Sequence, residues 1–299
     1  MVYLDNVVIK APNKLNHMNK KISFLSLLLV VNTIKAQRDS LLPFSKGPGP
    51  LFSFGLNVQP KNNFVYRQIY TLDERNLESR FVMHNHVYYG LSHKLTFIAK
   101  QPVILKRRTN GKHSRGLGNA RFEIETIPYV YQVADEYRFR ITTVTGVIPP
   151  TTTSKATTQL TLHSNSYFLG ITQSNTTPKI FQYGGIGIFI PTTKKSIYYG
   201  CRLYYELGFA HAIINNETLF FGVDFEMSGE YQQSRQINGV SDFTTGSNMI
   251  FFGPSARLST EHFIGQIGLQ YPWIRHVKVI NPNKTNYRFA CAGALSYTF

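Results

Sequence analysis

His84 and His86 stand two residues apart, in a stretch whose opposite alternate positions are Phe81, Met83, Val87 and Tyr89. On an extended chain, residues i and i+2 share a face, so both imidazoles could approach one metal ion. A zinc site takes three or four protein ligands, and the sequence offers no assured third, so the pair reads as hydrogen-bonded histidines on a polar face. No metal or cofactor is expected. Leu162-His163-Ser164-Asn165-Ser166 places a base beside a hydroxyl, but nucleophilic catalysis needs both on one face. Period two pairs His163 with Asn165 and turns Ser164 and Ser166 the other way. No catalytic residue is assigned, and the chain is read as a non-enzyme. Cys201 and Cys291 fall on apolar faces and read as small hydrophobes.

The remaining chemistry is charge: Lys100, Arg121, Glu123, Glu125, Arg138, Arg140, Arg202, Glu206, Asp224, Glu226, Arg257 and Arg288. Each alternates with apolar neighbours. From Tyr199 to Phe209, the odd positions are Tyr, Cys, Leu, Tyr, Leu and Phe, against Gly, Arg, Tyr, Glu and Gly. Such segments are strands, not helices. Twelve follow from the same exercise: 51–70, 79–89, 94–106, 117–132, 137–149, 159–173, 179–190, 196–214, 218–233, 248–259, 263–275 and 286–299. Short connections alternate with longer ones near 71–78, 107–116, 150–158, 234–247 and 276–285, as in an up-and-down meander.

A soluble sheet buries its apolar face and coats the other with charge. Only 16% of the 299 residues are charged, against 42% hydrophobic and 14% aromatic, with 22 Phe and 18 Tyr. Large, nearly charge-free outer faces with polar or small inner ones describe a transmembrane barrel. The expectation is therefore all-β: a transmembrane up-and-down antiparallel β-barrel of about twelve strands. Within it the charged residues above, with His84 and His86, become candidates for lining the lumen. Facing lipid would cost a midplane Arg or Lys about 2–4 kcal/mol. Trp273 and the Tyr residues near strand ends fit interfacial positions.

Both ends agree with this reading. Ile22–Val31 is a short apolar run, preceded by Asn19-Lys20-Lys21 and followed by Ile34-Lys35-Ala36. That is the layout of a cleaved secretory leader. Residues 1–17 are an upstream extension, 18–36 the signal peptide, 37–50 a periplasmic linker ending in Gly47-Pro48-Gly49-Pro50, and 51–299 the barrel. At the other end Leu295, Tyr297 and Phe299 alternate up to the last residue. That pattern resembles the signal by which the barrel assembly machinery recognises bacterial outer-membrane barrels for insertion.

Three further stretches carry a family resemblance. Tyr88-Tyr89-Gly90-Leu91-Ser92-His93-Lys94-Leu95, Ser114-Arg115-Gly116-Leu117-Gly118-Asn119-Ala120 and Gly146-Val147-Ile148-Pro149-Pro150-Thr151 resemble elements of outer-membrane proteins labelled MetA-pathway phenol-degradation proteins. The likeness is good over about 80–151 and only general elsewhere. Asn119 stands where that family has Asp, and His93-Lys94 where it has Asp-Arg. The resemblance implies a barrel passing small hydrophobic or aromatic compounds.

The net charge of +16 is concentrated in the connections. In five of them Arg107, Arg108, Lys112, Arg115, Lys155, Lys194, Lys195, Arg235, Lys278 and Lys284 face only Asp242, whereas the first carries Asp73, Glu74 and Glu78 against Arg75. With no nucleic-acid-binding motif, the expected partners are outer-membrane lipid, lipopolysaccharide, the assembly machinery and a small-molecule solute. Eight-stranded barrels are filled and sixteen-stranded ones hold aqueous channels. A twelve-stranded one could be a diffusion channel or a structural, surface-interacting barrel with a blocked lumen. A lipid-modifying barrel enzyme would need the same-face Ser–His pair that is not found.

Overall fold

The computed structural model describes residues 49–75, 78–109, 112–133, 136–151, 165–193, 196–216, 218–242, 245–277 and 287–299. The leader, and with it His163, Ser164, Lys155, Lys194, Lys195, Lys278 and Lys284, lies outside them. Sixteen strands are found among the described residues. They are β1 (Phe64–Arg75), β2 (Glu78–Ser92), β3 (Leu95–Thr109), β4 (Lys112–Leu117), β5 (Arg121–Val133), β6 (Tyr137–Ile148), β7 (Ser166–Thr176) and β8 (Ile180–Pro191). The rest are β9 (Ile197–Tyr198), β10 (Arg202–Asn215), β11 (Phe220–Gln232), β12 (Gln236–Ile237), β13 (Val240–Ser241), β14 (Ser247–Ser259), β15 (Phe263–Val277) and β16 (Tyr287–Thr298).

Antiparallel neighbours run in sequence order around a ring, and β16 closes on β1 from Val65 opposite Thr298 to Arg75 opposite Tyr287. β4 and β5 are two parts of one wall strand, since both pair with β3. Twelve wall strands result, and the fold is a closed antiparallel barrel, as the alternation predicts. The break at residues 118–120 has a local cause. Pro102 on β3 has no N–H to give the ladder. There the Gly118 amide donates to Pro102 O (2.9 Å) and the Gln101 side-chain amide donates to Gly118 O (2.9 Å).

Sequence and structure differ in several places, among them the strand expected over 196–214, whose wall part begins at Arg202. The first strand, expected over 51–70, begins only at Phe64. The connections expected near 71–78 and 107–116 are instead mostly strand, because β1 to β4 continue past the apolar belt into charged sequence. Arg107, Arg108, Lys112 and Arg115 therefore belong to β3 and β4. The connection expected over 234–247 contains β12 and β13, which with β9 form a separate three-stranded sheet. Its hairpin turns at Asn238 and Gly239, both at positive φ (51° and 79°), the pair of angles a two-residue hairpin turn needs.

Tight turns at the other end are held by their own side chains. Asn216 Oδ1 accepts the Leu219 amide (2.7 Å), and the Thr177 and Thr260 hydroxyls accept the amides of Ile180 and Phe263. Such side-chain turns suit connections too short for backbone ladders. The outer surface is apolar: Phe225, Leu295, Tyr271 and Tyr297 are exposed, as are Ile267 (67%) and Trp273 (70%). Leu203 and Phe221 on the same surface are half-buried. The buried residues, charged ones included, point into the barrel.

Candidate functional site

Residues 49–63 run through the lumen as a strap, with turns at 51–52 and 61–62 and a bend at 54–55. Gly and Pro at 49, 50, 55 and 60 unsuit it to a central strand, so its amides need partners other than a ladder. Carboxylates of the wall supply them. The Phe52 amide donates to Glu226 on β11 (3.0 Å), the Phe54 amide to Glu206 on β10 (3.0 Å), and the Asn57 amide to Glu125 on β5 (2.8 Å). Asn57 Nδ2 also donates to Glu125 (2.9 Å). Farther along, the Gln59 amide donates to Thr96 Oγ1 (2.7 Å), and Thr172 Oγ1 donates to Gly55 O (2.7 Å). The strap leaves through a turn in which the Asn62 amide donates to Gly90 O.

Four apolar side chains anchor it in three separate niches. Leu51 joins Ile69, Ala292 and Ala294, with Phe52 against them. Phe54 packs edge-on to Phe168 (5.3 Å between centroids) beside Val144 and Phe189. Leu56 fills a cluster of Phe181, Tyr183, Ala210, Ala212 and Phe220. Burying one such side chain contributes about 1.5–3 kcal/mol, so together with the charge-assisted amides the strap is firmly seated.

The other candidate residues occupy the same interior. Lys100 pairs with Glu123 (2.6 Å), as does Arg121, whose guanidinium lies 4.1 Å above the Phe168 ring. Ser255 Oγ donates to Glu226 (2.6 Å) and to Asp224 (3.3 Å), and Tyr183 donates to Glu226 (3.1 Å). Arg257 is fully buried beside Asp224. Arg202 lies 3.6 Å from Glu230 and 5.7 Å over the Phe189 ring. Arg138 and Arg140 sit on β6 toward the tight-turn end, opposite Gln132 and Val130 of β5. The side chain of Arg288 lies outside the described residues.

His84 Nε2 is 3.3 Å from Thr71 Oγ1, and His86 Nδ1 is 3.0 Å from Tyr88 Oη. Their rings are 6.1 Å apart, and among the described residues no third metal-ligating side chain joins them. What sequence reasoning missed is the strap itself: Phe52, Phe54, Asn57 and Gln59. The Gly and Pro density of 49–60 was the available signal. Chemically, the site is a row of wall carboxylates that accepts the amides of a peptide crossing a polar lumen.

No protein-family model matches the chain, and no curated protein matches it. Solved structures do. An outer membrane channel from Pseudomonas putida F1 superposes with TM-score 0.65 at 11% identity, over 81% of this chain and 97% of that one. Below it in similarity come the NanC porin (TM-score 0.45, 10% identity, 78% and 98% covered) and LpxR from Salmonella typhimurium (TM-score 0.46, 11% identity, 79% and 100% covered). At such identities the first of these establishes the fold this chain shares: a closed twelve-stranded antiparallel barrel.

Proposed function

We propose that this chain is an outer-membrane diffusion channel closed at rest by its own strap. The carrying observation is the grip of Glu125, Glu206 and Glu226 on three strap amides. A wall built only to be filled would need no carboxylates; apolar side chains would occupy the lumen at lower desolvation cost. Carboxylates hold the strap with bonds that water can replace, so the strap can leave without stranding a buried charge. The exposed apolar belt supports a membrane setting, and the name of the Pseudomonas channel supports the function. The solute class comes from the family resemblance alone: small hydrophobic or aromatic molecules, passed without chemistry. Export through the leader and insertion through Leu295, Tyr297 and Phe299 belong to the same reading, as does contact of the basic rim with lipopolysaccharide.

The test is conductance in planar bilayers. The full mature chain should conduct rarely and weakly, and a variant with residues 51–59 replaced by Gly and Ser should give frequent, larger events. A silent strap variant, correctly folded by its heat-modifiable migration, would favour the structural barrel instead. That second reading rests on the same strap, taken as a permanent filling.

A further inference from the structure

The apolar pattern of the outer surface is interrupted on β1 to β3. Gln68, Asn85 and Gln101 stand directly opposite one another in the ladder and form one row across the three strands. One residue away, Arg67 and His86 are buried and Lys100 reaches the lumen carboxylate of Glu123. The period of two therefore turns the three amides outward. Two residues away on either side stand Tyr66 and Tyr70, Met83 and Val87, Ala99 and Val103. The row thus lies within the belt and not at its rim.

A polar side chain among hydrocarbon needs hydrogen-bond partners, and most of these atoms have them. Gln68 Nε2 donates to Tyr66 Oη (2.8 Å) and to Asn85 Oδ1 (3.2 Å). The Tyr66 hydroxyl donates to Asn85 Oδ1 (2.8 Å) and the Tyr70 hydroxyl to Gln68 Oε1 (3.3 Å). Gln101 Nε2 donates to two carbonyls of the wall, Pro102 O (3.0 Å) and Gly118 O (2.9 Å). Two capacities are left over. Asn85 Nδ2 carries two hydrogens and makes one long contact, to Gln101 O at 3.4 Å, and Gln101 Oε1 accepts no hydrogen bond among the described residues. A spare donor on β2 and a spare acceptor on β3 are therefore register partners.

A donor beside an acceptor is self-complementary. Turned about a two-fold axis normal to the wall, the same pair sets acceptor against donor and donor against acceptor, so one contact closes two hydrogen bonds. Acyl chains offer neither group. We propose that two copies of this chain associate in the membrane through this row, Asn85 of each copy donating to Gln101 Oε1 of the other. Ala99, next to Gln101 on the same face, has little side chain to hold the second wall away. The contact rests on the membrane setting of the belt and is independent of conduction.

Sedimentation equilibrium of the full mature chain in density-matched detergent, over a range of protein-to-detergent ratios, tests the contact. The parent should pass from one copy to two as the ratio rises. Asn85→Leu and Gln101→Leu each remove both bonds of the symmetric pair and should weaken association about tenfold, with heat-modifiable migration unchanged. Asn85→Leu leaves the bonds of Gln101 to the wall in place, so it serves alone if Gln101→Leu fails to fold. Ile267→Leu, on the outer face of β15, should associate like the parent. When the two Leu variants fold and are mixed, one bond returns, so dye-labelled mixed pairs should form in preference to like pairs, which a merely structural role would not produce. A single copy at every ratio, parent-like association of folded Asn85→Leu, or no preference for mixed pairs would overturn the contact. A single copy that retains a hydroxyl- or amide-bearing lipid in native mass spectrometry would also overturn it, and assign the row to lipid.

Discussion

Glu125, Glu206 and Glu226 sit on three different wall strands and perform one act, accepting an amide of the strap. The period of two is enough to show that they point inward. What they hold was not legible, because the Phe52 amide is 174 residues from Glu226 along the chain and nothing local encodes that pairing. Space for the strap is set by residues that lack a side chain. A Cβ on Gly268 would fall 2.9 Å from the Phe52 ring and 3.1 Å from Leu51 Cδ2; one on Gly187 would fall 3.1 Å from the Phe54 ring. Gly268→Leu should therefore expel the first turn of the strap while leaving an apolar side chain in the wall. The expected result is more frequent channel opening, with a stability loss of about 1–3 kcal/mol from overpacking measured by urea unfolding in lipid. Unchanged gating would place Phe52 elsewhere.

Elements were read well where backbone and belt coincide and poorly where they part. Residues 51–59 carry Phe52, Phe54, Leu56 and Val58 at alternate positions, so they look like a strand. Period two suggests an extended ladder strand, but here the chain turns at 51–52 and bends at 54–55, and its amides bond to side chains. At β1 to β4 the opposite error arises: charged residues such as Asp73 and Arg107 suggest loops, although the ladder continues through them. Strand β16 was legible to its last residues, with Leu295 and Tyr297 exposed on the outer face. If it is the insertion signal proposed above, Phe299→Ala should reduce the amount of heat-modifiable barrel in the outer-membrane fraction while secretion to the periplasm continues. Insertion at the normal level would dissociate the terminal Phe from recognition.

Taken whole, the barrel separates an apolar belt from a charged interior, and the channel reading gives that interior an electrical consequence. The loop-end rim is basic, but Arg107 is bonded to Glu78, and Arg108 lies 3.9 Å from Glu74, which moderates the field a passing ion meets. Once the strap is replaced, the pore should be mildly anion-selective at low salt. That preference should fade above about 0.1 M, where the screening length falls to about 10 Å. Replacing Arg107, Arg108, Lys112 and Arg115 with Gln should shift the reversal potential toward cations. Cation selectivity in the parent would mean that the released Glu125, Glu206 and Glu226 govern the pore.

The strap also fixes an order of events. It is made before any wall strand, yet its resting places lie on β3, β5, β7, β10 and β11, and its Leu51 niche includes β16, the last strand of all. Because those partners lie on strands all round the wall, the strap can bond to all of them only once that wall stands. The first described stretch of the chain is thus the last to find its place, arriving in a cylinder that its own successors have already built. In pulse-labelled hydrogen exchange during refolding, the amides of Phe52, Phe54 and Asn57 should gain protection only after those of the β1–β16 seam.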